Sequence, residues 1–148
     1  MRSTLFNVAF DCADAYELAR FWSKVVGHPL DDEDRPGDST AAIALPTGLH
    51  LYFAQVDEPK TQKNRVHLCL QPDSPRDAEV ERLLAVGATV ASDRRNPDGT
   101  GWVVFTDPEG NEFCVLRSAA ERAAGEADGA GEAAEAGGCD RGAASVSR

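Results

Sequence analysis

The sequence predicts an α+β fold of two tandem β-α-β-β-β modules, forming a curled mixed sheet around a cleft with the helices outside. Three observations predict it. Helix start and stop signals recur about 60 residues apart, period-two strand patterns flank both of them, and each half carries a Gly/Pro turn between its last two strands.

The first strand is read at Leu5–Phe10, where Phe6, Val8 and Phe10 alternate with Asn7 and Ala9. A period of two gives a strand two unlike faces. Asp14 with Glu17 makes an Asp-x-x-Glu cap for the helical run Leu18, Phe21, Trp22, Val25, which stops at Gly27. Thr40–Leu45 and Leu49–Gln55 follow as strands joined by the Pro46-Thr47-Gly48 turn. The same grammar then returns. Arg65–Leu70 is a strand, Ser74 is the N-cap candidate, Pro75 suits the first helical position, and Asp77 is the capping acid. Val80, Leu83 and Leu84 form the apolar stripe, and Gly87 ends it. Gly101–Thr106 and Asn111–Arg117 are joined by the turn Asp107-Pro108-Glu109-Gly110-Asn111. A less regular strand fills the slot after each helix, Leu30–Pro36 and Thr89–Arg95.

The modules span about 4–56 and 64–117, inside a domain of residues 1–118. The two helical stripes do not superpose residue for residue, so the duplication is expected to be imperfect; the alternative is an ordinary α+β sandwich. From Ala119 onward the chain is rich in Ala, Gly and Glu, and Val146 is its only large aliphatic residue. Such a stretch buries too little apolar surface to offset its ordering entropy, so 119–148 is read as a disordered tail. A short helix over Ala119–Ala124 is the alternative.

The 148 residues carry 15 Lys+Arg against 25 Asp+Glu, a net charge of -10. That balance argues against nucleic acid and anionic membranes, both of which attract basic patches. Cys12, Cys69, Cys114 and Cys139 show no C-x-x-C spacing, and the N-terminus has no signal-peptide pattern. The expectation is a cytoplasmic protein with reduced thiols and no membrane span.

Alternation divides the strand residues into two faces. Phe6, Val8, Phe10, Leu49, Leu51, Phe53, Val66, Leu68, Leu70, Val103, Phe105, Phe113 and Val115 are apolar and should lie under the helices. The opposite face carries Asn7, Ala9, Asp11, Ala42, Ala44, His50, Tyr52, Ala54, His67, Cys69, Gln71, Trp102, Val104, Glu112 and Cys114. This mixed set is either a solvated outer face or a cavity wall. His67 can exchange a proton near neutral pH or can be hydrogen-bonded within the sheet. Trp102 is an aromatic platform or a packing residue. Cys114 is a nucleophile only if its pKa is lowered, and Glu112 on its face would raise it. Asp14 is better explained as a cap than as a catalytic acid. Asp31-Asp32-Glu33-Asp34 lacks the spacing of a calcium loop. Lys60, Lys63 and Arg65 either draw an anionic ligand or form an exposed connector.

Residues 4–117 resemble the vicinal oxygen chelate superfamily, which contains glyoxalase I, extradiol dioxygenases and bleomycin-resistance proteins. The resemblance rests on Gly101–Leu116, with its Asp-Pro-Glu-Gly-Asn turn, and on Pro59–Leu68. It implies that a divalent metal, where present, is held from the first and last strands of each module: Asn7, about Ala54, His67 and Cys114. Only His67 is a usual ligand there, so neither a metal nor another cofactor is expected. A shift of two residues along the strands would instead offer His50, His67 and Glu112 for a divalent metal.

The reading is a glyoxalase-like protein that binds a small organic molecule in the inter-module cleft. Asn7, Tyr52, His67, Trp102 and Cys114 are the substrate-binding candidates, and His67 and Glu112 the catalytic ones. The alternatives are a metal-dependent lyase or isomerase, an antibiotic-sequestering resistance-type protein, and a metal-independent enzyme using His67 with Glu112 or Asp11. The resemblance also implies a homodimer.

Overall fold

The computed structural model describes residues 2–128. Strand β1 (Asn7–Cys12) leads into helix α1 (Ala15–Val26). Both boundary signals work as read. Asp14 accepts the Glu17 N–H at 2.9 Å, and Gly27 closes the helix at φ 72°, its N–H donating to Ser23 O. Leu18, Phe21, Trp22 and Val25 are all buried.

Strands β2 (Thr40–Ala44) and β3 (His50–Gln55) complete a three-stranded sheet of order β1-β3-β2, with β1 parallel and β2 antiparallel to β3. The slot read at Leu30–Pro36 holds turns rather than a strand. Its acidic side chains satisfy nearby backbone donors, which competes with strand formation. Asp31 Oδ1 accepts the Glu33 N–H, and Asp34 Oδ2 accepts the Ala42 N–H of β2 at 2.9 Å. The segment still lies along the sheet, because Asp31 N–H donates to Ala42 O.

The second module runs β4 (Leu68–Leu70), α2 (Arg76–Ala85), β5 (Thr89–Asp93), β6 (Val103–Thr106) and β7 (Glu112–Val115). Its sheet order is β4-β7-β6-β5, the order of the first module with one more strand at the edge. The hairpin between β5 and β6 brings Gly101 against the backbone. At φ +88°, a Cβ there would stand 2.0 Å from Arg94 O, so only glycine fits.

Four side chains read as core or helix stripe lie outside the packed cluster: Phe6, Leu49, Val66 and Leu84. Phe6 and Val66 precede their strands and are 68% and 80% exposed, and the Phe6 ring stacks on His50 at 5.2 Å instead. Leu84 faces outward on α2. Ser74 does not cap α2, which begins after Pro75 without a side-chain cap. The Arg76 N–H is met instead by Glu121 Oε2 at 3.0 Å.

That carboxylate belongs to α3 (Ala119–Asp128), a helix that occupies the start of the stretch read as a disordered tail. Its nucleus is a capping box: Ser118 Oγ accepts the Glu121 N–H, and Glu121 Oε2 accepts the Ser118 N–H. The expectation for 129–148 lies outside the described residues.

Among the described residues no strand of one sheet pairs with the other, so two separate sheets replace the single curled sheet. The modules join through α1. Trp22 lies 5.1 Å from Phe10 of β1 and 5.1 Å from Phe113 of β7, so one aromatic row crosses the boundary. The Trp22 indole N–H donates to Asp107 Oδ2 at 3.1 Å. Asp107, itself buried, also accepts the N–H groups of Glu109 and Asn111. Glu109 then accepts the Ala13 and Asp14 N–H groups at the N-terminus of α1. At the other end, Arg82 of α2 donates to the carbonyls of Lys24 and Val25. The Asp-Pro-Glu-Gly-Asn turn is thus the socket that receives the first module's helix.

Candidate functional site

The strand pairings define which positions of the two modules are equivalent. Val8 pairs with Leu51 as Leu68 pairs with Phe113. Asn7 therefore corresponds to His67, Ala9 to Cys69, His50 to Glu112 and Tyr52 to Cys114. A uniform shift of 60 would match Cys114 with Ala54, but the pairing register matches it with Tyr52. The second module has two more residues between its first and last strands.

Asn7 and Tyr52 are half-buried on the first sheet, where Tyr52 lies between Ala9 and Ala42. His67 and Trp102 are half-buried on the second module, immediately before β4 and β6, and the Trp102 carbonyl accepts the Arg94 N–H. Cys114 is buried, only 2% exposed. Of the expected site residues, His67 and Cys114 are brought together, and a third donor joins them. The ligand atoms of His67, Cys69 and Cys114 all lie within 4.8 Å of one another. Cys69 faces Cys114 across the parallel β4–β7 pair. Alternation along the strand placed Cys69 on this face, but only the pairing register reveals what stands opposite.

Glu112 is tied to the linker between the modules. Burial raises its pKa, but the N–H groups of Asn64 (3.0 Å) and Glu112 itself, with the Lys60 ammonium at 3.5 Å, outweigh burial. The carboxyl is held below its usual range and is ionised at neutral pH. It is an acceptor there, not a proton donor.

Cys12 belongs to the first module, at the end of β1. Burial first, then the Glu109 charge, push its pKa up to about 11, against the Sγ–H bond to Ala54 O. It stays a neutral thiol near pH 7.

The donors at the four inherited positions do not suit a hard divalent ion bridging both modules. Asn7 offers a weak neutral amide and Tyr52 a phenol, while the second module offers an imidazole and a thiol. A separate groove of about 220 Å³ lies on the helix side, lined in part by Glu17, Phe21, Lys24 and Pro108. It contains none of the expected site residues.

The fold and these positions define a duplicated α+β domain of the vicinal oxygen chelate type. The family model described as Glyoxalase-like domain matches residues 7–116, and the chain belongs to that family. No curated protein matches it. Solved structures agree in fold. A fosfomycin resistance protein from Mesorhizobium loti is 19% identical with a TM-score of 0.59, covering 84% of this chain and 99% of its own. A glyoxalase/bleomycin resistance protein/dioxygenase family enzyme from Burkholderia phytofirmans is 18% identical at 0.59, covering 76% and 97%. A lactoylglutathione lyase from Agrobacterium tumefaciens is 20% identical at 0.54, covering 78% and 93%. No helix among the described residues is long and apolar enough to cross a membrane.

Proposed function

We propose that the protein binds a small organic molecule on the strand face opposite its helices, without the metal set spanning both modules that the family resemblance implies. One observation carries this reading. Asn7 and Tyr52 on one module occupy the positions equivalent to His67 and Cys114 on the other, and alanines at 9, 42 and 54 leave the first face low beside Tyr52. Polar groups set among small residues suit recognition of a compact ligand. The test is a thermal-shift and tryptophan-fluorescence screen with aromatic, oxo-acid and antibiotic-like compounds. Hits should raise the Tm of the wild type and lose their effect in Tyr52→Ala or His67→Ala. A broad library that moves neither signal overturns the reading.

A second reading, metal-independent catalysis, is favoured by the ionised state of Glu112. His67 would exchange the proton while Glu112 accepts a hydrogen bond. Turnover that survives His67→Ala refutes it. The scatter of Cys12, Cys69, Cys114 and Cys139 without C-x-x-C spacing supports a cytoplasmic location. The exposed apolar side chains of Leu5, Phe6 and Val66 support homodimerisation, which a monomeric mass in light scattering would refute.

A further inference from the structure

We propose that His67, Cys69 and Cys114 form a binding site for one thiophilic divalent cation of the zinc class, held by the second module alone. The site goes beyond the small-molecule reading and does not rest on it. Two neighbouring strands create it. His67 and Cys69 stand two residues apart and so share a face, and the parallel register sets Cys114 beside Cys69. The three ligand atoms fall within 4.8 Å of one another. A tetrahedral ion with Zn–S near 2.3 Å and Zn–N near 2.0 Å needs its donors about 3.5–3.8 Å apart, so closure takes roughly 1 Å of side-chain movement.

The donor chemistry selects the ion. Two thiolates and an imidazole favour zinc, cadmium or cobalt over magnesium or calcium. Two thiolate charges neutralise a divalent ion, and the thiol protons leave to solvent as it binds. Exposed Cys69 marks the side from which the ion enters, while buried Cys114 and half-buried His67 form the floor. Three protein ligands leave the fourth coordination position for water or an exogenous oxygen or sulfur donor. The equivalent positions of the first module, Asn7, Ala9 and Tyr52, offer no such set.

The test uses the full, fully reduced chain, freed of metal by a chelator and titrated with Co²⁺ alone. One Co²⁺ per chain should bind, with thiolate-to-cobalt charge-transfer absorption and the intense d–d bands of a four-coordinate ion, and one equivalent of Zn²⁺ should bleach them. Cys69→Ser and His67→Gln should each weaken binding on the order of 100-fold. Cys12→Ser and Cys139→Ser should leave it unchanged. Cys69 is exposed, so its serine variant should keep the wild-type Tm without metal, which separates lost coordination from lost folding. Absence of Co²⁺ binding, bands that survive Cys69→Ser, or bands that disappear in Cys139→Ser would overturn the site. The ligand screen fails or succeeds independently, because it reads organic compounds on metal-free protein.

Discussion

The first module sets Asn7, Ala9, His50 and Tyr52 where the second sets His67, Cys69, Glu112 and Cys114. The core beneath is alike in both: Leu51 and Phe53 on β3 match Phe113 and Val115 on β7, all buried. The packed faces of the two modules are alike while their outer faces differ, because packing constrains shape more tightly than it constrains the chemistry of the outer face. The helices differ in a second way. Helix α1 has its own cap and touches both sheets, whereas α2 borrows its N-terminal acceptor from Glu121.

The largest test of this asymmetry is truncation of each helix's central side chain. Trp22→Ala should cost about 4 kcal/mol and Leu83→Ala about 3 kcal/mol. Urea denaturation that ranks Leu83 above Trp22 would break the claim that α1 is the shared helix. Next come the two turns. Asp107→Ala strands the Trp22 and Asn111 donors and should cost about 3 kcal/mol, while Thr47→Ala in the matching turn should stay within about 0.5 kcal/mol.

The caps give a smaller contrast. Glu121→Ala and Asp14→Ala should each lower stability by about 1 kcal/mol, and Ser74→Ala should change it little. An equal loss at Ser74 would show that α2 carries its own cap after all. The smallest effect is in pH. The Arg95 guanidinium holds Asp93 down to about 2, so this carboxylate stabilises the fold above the ordinary carboxylate pKa near 4, and that contribution disappears as pH falls toward 2. The side chain is 46% exposed and solvent-screened, so the Tm difference between wild type and Asp93→Asn should correspond to about 0.5 kcal/mol at pH 7 and vanish near pH 2.

Much of the fold was legible because its signals are local. Asp14, Glu17 and Gly27 bound α1 through contacts spanning at most four residues, and alternation alone assigned Phe113 and Val115, but not Cys114, to the packed cluster, although all three are buried. The slot at Leu30–Pro36 misled because its acidic side chains capture backbone N–H groups, a competition that counting strand slots does not register. Ser74 misled because its rival, Glu121, lies 47 positions away in sequence. The site was half legible. His67 and Cys114 emerged from strand alternation, but the third donor depended on which residue of β4 pairs with Cys114, and the two extra residues in the second half hide that register.

The bond between the Trp22 indole and Asp107 spans 85 residues. As the polypeptide leaves the ribosome, the largest aromatic group of the first helix therefore emerges long before its hydrogen-bond acceptor has been made. Until nearly the whole domain has been synthesised, that ring has only first-module neighbours such as Phe10 to cover it, so its final docking belongs to the last stage of folding and its most aggregation-exposed interval to the time before release.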